Sequence, residues 1–145
     1  MKNKKKILII GGTGFIGYHL AKKCLKKKWQ VSSISSRKPK KIRFLKKVKY
    51  IRCGITNNKL LKKKLNSTFD YVVNLGGYVD HSNKKKTFKS HYEGCKNLAK
   101  IFLEKKISSF IQIGSSLEYG RSKSPQKENI KCNLNLIRST YGKAK

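Results

Sequence analysis

Three groups of residues in this chain have the types and the spacing for chemistry. Near the carboxyl end, Tyr141-Gly142-Lys143-Ala144-Lys145 sets a phenol and an ammonium at i and i+4, which on a helix is one face. An isolated phenol titrates near ~10 and is a poor acid or base at neutral pH. A neighbouring ammonium favours the phenolate and brings such a group towards the working range. Upstream, Gly114-Ser115-Ser116-Leu117-Glu118-Tyr119-Gly120 offers hydroxyls able to polarise a substrate oxygen. At the start, Gly11-Gly12-Thr13-Gly14-Phe15-Ile16-Gly17 follows the apolar run Ile7-Leu8-Ile9-Ile10. There Gly11 permits a tight turn, Gly14 a close approach of backbone to a pyrophosphate, and Gly17 close packing of helix on strand. Phosphates would sit on the unpaired N–H groups at the positive end of the helix dipole.

Each motif has an ordinary reading by itself. A Tyr-x-x-x-Lys arises by chance in a lysine-rich chain, and spaced glycines occur in many strand–helix connections. The elements between them decide. Strands are predicted at Ile7–Ile10, Gln30–Ser35, Val48–Arg52, Asp70–Leu75 and Ile107–Gly114. Helical patterns fall at about 14–28, at 57–65 with Thr56 as cap, and at 87–105. That last stripe runs through Phe88, Tyr92, Cys95, Leu98, Ala99, Phe102 and Leu103. Ser36–Pro39 is a loop, and a short basic helix is expected over Lys41–Lys47. Strand–helix alternation of this kind means a doubly wound parallel sheet covered on both faces, a three-layer α/β Rossmann-type sandwich of order 3-2-1-4-5. The motifs then lie beyond strand ends, where ligands gather in such sheets.

The 145 residues, 37% of them hydrophobic, suit one domain, 1–145. No window approaches the ~20 apolar residues of a membrane span. The basic lead-in Met1–Lys6 followed by four apolar residues imitates a secretion signal, but such a signal needs ~7–15. A first strand in a cytoplasmic protein is expected instead. Cys24, Cys53, Cys95 and Cys132 have no paired spacing, so no metal site or disulfide framework is indicated. The net charge of +31 would suit nucleic acid. Against that, only five of the 37 cations are arginine and the lysines spread over nearly every predicted helix, without aromatic interleaving. Solvated helix faces are the expected explanation, with no specific nucleic-acid partner and no membrane partner.

Together these residues resemble the extended short-chain dehydrogenase/reductase family, the nucleotide-sugar epimerases, dehydratases and reductases. Gly11–Gly17 matches that family's opening fingerprint. Asn74-Leu75-Gly76-Gly77 looks like its fourth-strand end, where Ala usually replaces one or both glycines. Gly94-Cys95-Lys96-Asn97-Leu98 resembles its Gly-Thr-x-Asn-Leu segment, Ser115–Gly120 its Ser-Ser-x-x-x-Tyr-Gly, and Tyr141–Lys145 its Tyr-x-x-x-Lys. Pro125 and Glu128 fall in its Pro-x-x-Glu loop. The resemblance implies Tyr141 as catalytic acid/base, Lys145 easing loss of the phenol proton and binding the nicotinamide ribose, and Ser115 in the catalytic Ser/Thr place with Ser116 as fallback. It implies an NAD(P) site at Gly11, Thr13, Gly14, Phe15, Ile16, Gly17, Ser36, Arg37, Leu75, Gly76 and Lys145. It also implies a nucleotide-sugar substrate, hydride transfer at a sugar carbon, and a homodimer for the full-length protein.

Departures from the family pattern carry information. Ser35, Ser36, Arg37 and Lys38 stand where NAD-preferring members carry Asp, which suits a ribose 2′-phosphate and favours NADP slightly. Gly54 stands where an Asp often contacts adenine. His91 takes a usual Asn position; with His19 and His81 also isolated, no histidine-based metal or catalytic site is expected. Glu118 lies one place off the dehydratases' second acid/base and reads as a loop carboxylate. The chain ends on Lys145 without the family's substrate-binding C-terminal region, so a fragment or a truncated product is expected, inactive by itself. A non-catalytic dinucleotide sensor, and more remotely a basic nucleic-acid binder, are the alternatives.

Overall fold

A computed structural model describes residues 4–145; Met1–Asn3, and with them the start of the lead-in weighed above as a secretion signal, lie outside the described residues. Five parallel strands form one sheet in the order β3-β2-β1-β4-β5. They are β1 (Lys6–Ile10), β2 (Gln30–Ser35), β3 (Val48–Arg52), β4 (Tyr71–Asn74) and β5 (Ser109–Gln112). β1 is central: Ile7 pairs with Val31 on one side and Tyr71 on the other. The run from Ile7 to Ile10 has no polar alternation because both faces of this strand are covered. Leu8 and Ile10 point into a core with Ile34, Val72, Leu61, Leu98, Ile101 and Phe102. Ile7 and Ile9 point the other way, against Ala21, Cys24, Val31 and Val73. Each fully buried Leu or Ile is worth about 1.5–3 kcal/mol, so β1 anchors both layers.

Helix α1 (Phe15–Lys26) covers the second face; α2 (Asn58–Lys64) and α4 (Gly94–Leu103) cover the first. Three details differ from the sequence reading. The helix expected over Lys41–Lys47 is one 3-10 turn, Lys41–Arg43, with no buried residue to hold a longer one. The cap of α2 is Asn57, whose side chain accepts from the Leu60 N–H at 3.0 Å, and not Thr56.

The long helix is the third. It begins at α3 (Lys84–Phe88), capped by Asn83, and passes through a π turn, Lys89–Glu93, before α4. Its buried stripe is Thr87, His91, Gly94, Leu98, Ile101 and Phe102, one residue out of phase with the expected one at its start. Phe88 and Tyr92 face solvent and pack on each other, ring centroids 5.0 Å apart. Hydrophobic spacing alone favoured the two aromatic rings over a threonine and a histidine for the inside.

Of the described lysines, all but Lys105 and Lys145 are exposed, as solvated helix faces require. No described helix is long and apolar enough to cross a membrane.

Candidate functional site

The first glycine turn follows directly from β1. Gly11 has φ 78°, the left-handed region that only glycine adopts freely. It passes its N–H to Ile34 O at 2.8 Å, and Gly14 N–H returns to Gly11 O at 2.9 Å. α1 then starts at Phe15 with no side-chain cap and no acidic residue in its first turn. Its leading N–H groups are thus free for an external anion. A Cβ on Gly17 would lie 2.5 Å from Gly11 O and 2.6 Å from Gly12 Cα, so this position admits no side chain.

Beside the turn, beyond the ends of β2 and β3, lies a cavity of about 300 Å³. Thr13, Ser33, Ser35, Arg37, Lys38, Phe44, Tyr50 and Arg52 line it. Phe44 and Tyr50 stack at 5.6 Å as one wall, and Tyr50 is fixed by the Leu45 N–H donating to its hydroxyl at 3.0 Å. The buried hydroxyls of Ser33 and Ser35 have no partner in the fold. Arg37 lines this cavity, whereas Ser36 is exposed and outside the lining. The sequence reading missed Ser33 as part of this wall, although the serines of β2 could have signalled it; Phe44, Tyr50 and Arg52 carried no sequence signal. Uncapped helix, glycine cradle, orphaned hydroxyls and basic cavity together fit a dinucleotide.

The β4 end closes against the same turn. A Cβ on Gly11 would meet Leu75 O at 3.0 Å and Gly76 Cα at 3.1 Å, which places Leu75 and Gly76 beside the fingerprint. Buried Asn74 organises this corner: it accepts from Gly76 N–H at 3.0 Å and donates to Gln112 Oε1 at 2.7 Å.

The catalytic candidates meet on the other side. Ser115 caps a 3-10 turn, Ser116–Tyr119, in a full capping box whose return bond runs from Ser115 N–H to the Glu118 carboxylate at 2.5 Å. Glu118 is therefore tied into loop structure. Helix α5 (Thr140–Ala144), capped by Ser139, packs on this turn and on α3. Gly142 makes the approach possible, since a Cβ there would stand 2.7 Å from Leu117 O. Lys145 donates to Ile113 O at 2.7 Å, and its Nζ lies 5.6 Å from the Tyr141 ring centroid. Burial pushes the Lys145 ammonium down, while Glu118 and Cys95 oppose that shift. Ser115 thus comes from one turn, and Tyr141 and Lys145 from one helix, to the β5 end of the sheet.

The histidines overturn one expectation. His81 and His91 are not isolated: both rings contact Tyr141, at 4.0 Å and 4.9 Å between centroids. His91 is only 7% exposed and donates from Nε2 to Tyr78 O at 3.1 Å, leaving Nδ1 buried and unpartnered. Gly77 provides its space, because a Cβ there would fall inside the imidazole. No cluster among the described residues has the ligands for a metal.

Burial holds the His91 imidazole below its ordinary range; the Tyr78 carbonyl opposes this, and Lys145 and His81 add to it. The unfolded chain then binds a proton that the folded chain resists. Stability contributed by neutral His91 is complete above about pH 6.5 and declines as pH falls through that value towards the lower folded one. Thermal unfolding across pH 5–8 is expected to show this loss, and His91→Asn is expected to flatten it. An unchanged slope in His91→Asn would assign the loss to other groups.

Residues 7–145 match the model of the NAD dependent epimerase/dehydratase family. Among curated proteins none matches. Among solved structures, the Bordetella bronchiseptica enzyme WbmG in complex with NAD and UDP superposes with a TM-score of 0.86 at 21% identity, over 98% of this chain and 47% of that one. The UDP-Glc/GlcNAc 4-epimerase of Campylobacter jejuni gives 0.85 at 22%, over 97% and 45%. The Helicobacter pylori ADP-L-glycero-D-manno-heptose-6-epimerase gives 0.80 at 24%, over 99% and 50%. At these identities the likeness is one of fold, and the chain spans about half the length of the structures it matches.

Proposed function

The chain belongs to the NAD dependent epimerase/dehydratase family, and from that premise we propose that residues 1–145 are the dinucleotide-binding and acid/base part of a nucleotide-sugar epimerase, dehydratase or reductase. Gly11, Thr13, Gly14, Phe15, Ile16, Gly17, Arg37, Leu75 and Gly76 hold the dinucleotide, which when bound supplies hydride exchange with a sugar carbon. Tyr141 takes or returns the proton of the sugar hydroxyl, Ser115 binds the same oxygen, and Lys145 binds the ribose beside them. The carrying observation is the meeting of Tyr141, Lys145 and the Ser115 loop at the carboxyl end of β5, in the sheet whose glycine turn is preformed. The protein acts as a homodimer when joined to its substrate-binding region.

NADP is the preferred dinucleotide. Arg37 and Lys38 flank the cavity that would receive a ribose 2′-phosphate, and two unpartnered serine hydroxyls line it. A 2′-phosphate paired with Arg37 gains a charge-assisted, bidentate contact worth about 1.5–3 kcal/mol. In calorimetric titration of the chain, Arg37→Ala is expected to weaken NADP binding at least tenfold and leave NAD unchanged. Tighter NAD binding by the unaltered chain would defeat the preference, and binding of neither would defeat the site.

A further inference from the structure

Tyr141 sits between two imidazoles that arrive by separate devices. His81, on the exposed loop between β4 and α3, lies flat on the phenol ring, with centroids 4.0 Å apart and planes inclined by 19°. Asp80 shapes that loop, accepting from both the N–H and the hydroxyl of Ser82. His91 meets the same ring edge-on at 86°, delivered by the π turn Lys89–Glu93. Such turns are uncommon and concentrate at functional sites. With Gly77 leaving space for His91, the β4–α3 loop and the π turn hold one phenol between two rings.

We propose that His81 is a positioning residue for Tyr141, and that the phenol reads its protonation state. The flat imidazole fixes the ring between itself and the His91 edge, and a proton gained by His81 places positive charge against the ring face. Imidazole is the side chain whose charge changes between about pH 5 and 8. The other charges around Tyr141 are Lys145 on its own helix and Glu118 on the adjoining turn, which acts on Lys145. Asp80 adjoins His81 and feels both its charge and, from α3, that of Lys86; Lys84 and Lys85 share α3. Burial lowers the pKa of His91 from its ordinary value. Only the catalytic consequence rests on Tyr141 being the acid/base; the stack does not.

The chain with ring-labelled tyrosine, followed by NMR across pH 5–8 with and without NADP, tests this. Tyr141 signals, assigned with Tyr141→Phe, are expected to move downfield in His81→Ala as the shielding imidazole is lost. They are also expected to show a step with pH in the unaltered chain. His81→Phe, which restores a flat ring without a charge, should recover the shift but not the step. His91→Asn should keep the step. Tyr141 signals unmoved by His81→Ala, or a step that persists in His81→Phe, would overturn the proposal. NADP binding in the same samples reports on the dinucleotide site separately, so loss of binding with the stack intact would count against the proposed function alone.

Discussion

In a Gly17→Ala variant, dinucleotide binding is expected to disappear and the melting temperature to fall. The added methyl would lie 2.5 Å from Gly11 O and 2.6 Å from Gly12 Cα, and both are backbone atoms of the turn. A flexible side chain could swing away; this backbone cannot, because Gly11 N–H is held by Ile34 O and Gly14 N–H by Gly11 O. Overpacking of this kind costs about 1–3 kcal/mol. At roughly 2–4 °C per kcal/mol for a domain near this size, the loss reads as several degrees in thermal unfolding. Moving α1 outward to relieve the clash also withdraws its leading N–H groups from the phosphate position, so binding and stability fall together. An alanine variant with unchanged melting and unchanged NADP titration would show that the turn relaxes freely.

The second large effect concerns a pair. Gly77→Ala is expected to destabilise the chain, because the new methyl falls within the buried His91 ring. His91→Asn by itself loses the bond to Tyr78 O and leaves a gap, at about 1–3 kcal/mol. Combined, the two changes are expected to cost less than their sum, since asparagine vacates the volume that alanine needs. Contacting residues show coupling of about 0.5–3 kcal/mol in such cycles. Denaturant midpoints of the four proteins measure it. Strict additivity would mean that Gly77 and His91 are independent departures from the family pattern.

Much of this molecule was legible in one dimension. The unbroken apolar run Ile7–Ile10 reads as a strand covered on both faces, and five strands separated by helical stretches point to a parallel sheet. The fingerprint was legible too, because its chemistry is local: Gly11, Gly14 and Gly17 act on one another within a single turn. The Tyr141–Lys145 pair needed only helical spacing.

What tertiary structure alone decided are contacts between residues distant in sequence. The cavity that sets Phe44 and Tyr50 opposite Thr13 and Ser33, and the pairing of Gly77 with His91, exist only once strands and helix have packed. The inward face of the long helix depended on Asn83 starting it earlier and on a π turn within it, which periodicity read from side chains does not register. That turn carries His91 inward to Tyr141 while Phe88 and Tyr92 remain in solvent. Sequence spacing therefore reported which residues could do chemistry. Packing across 50 or so positions decided that two histidines stand beside the phenol, because such contacts are set by where whole elements dock and not by the interval between letters.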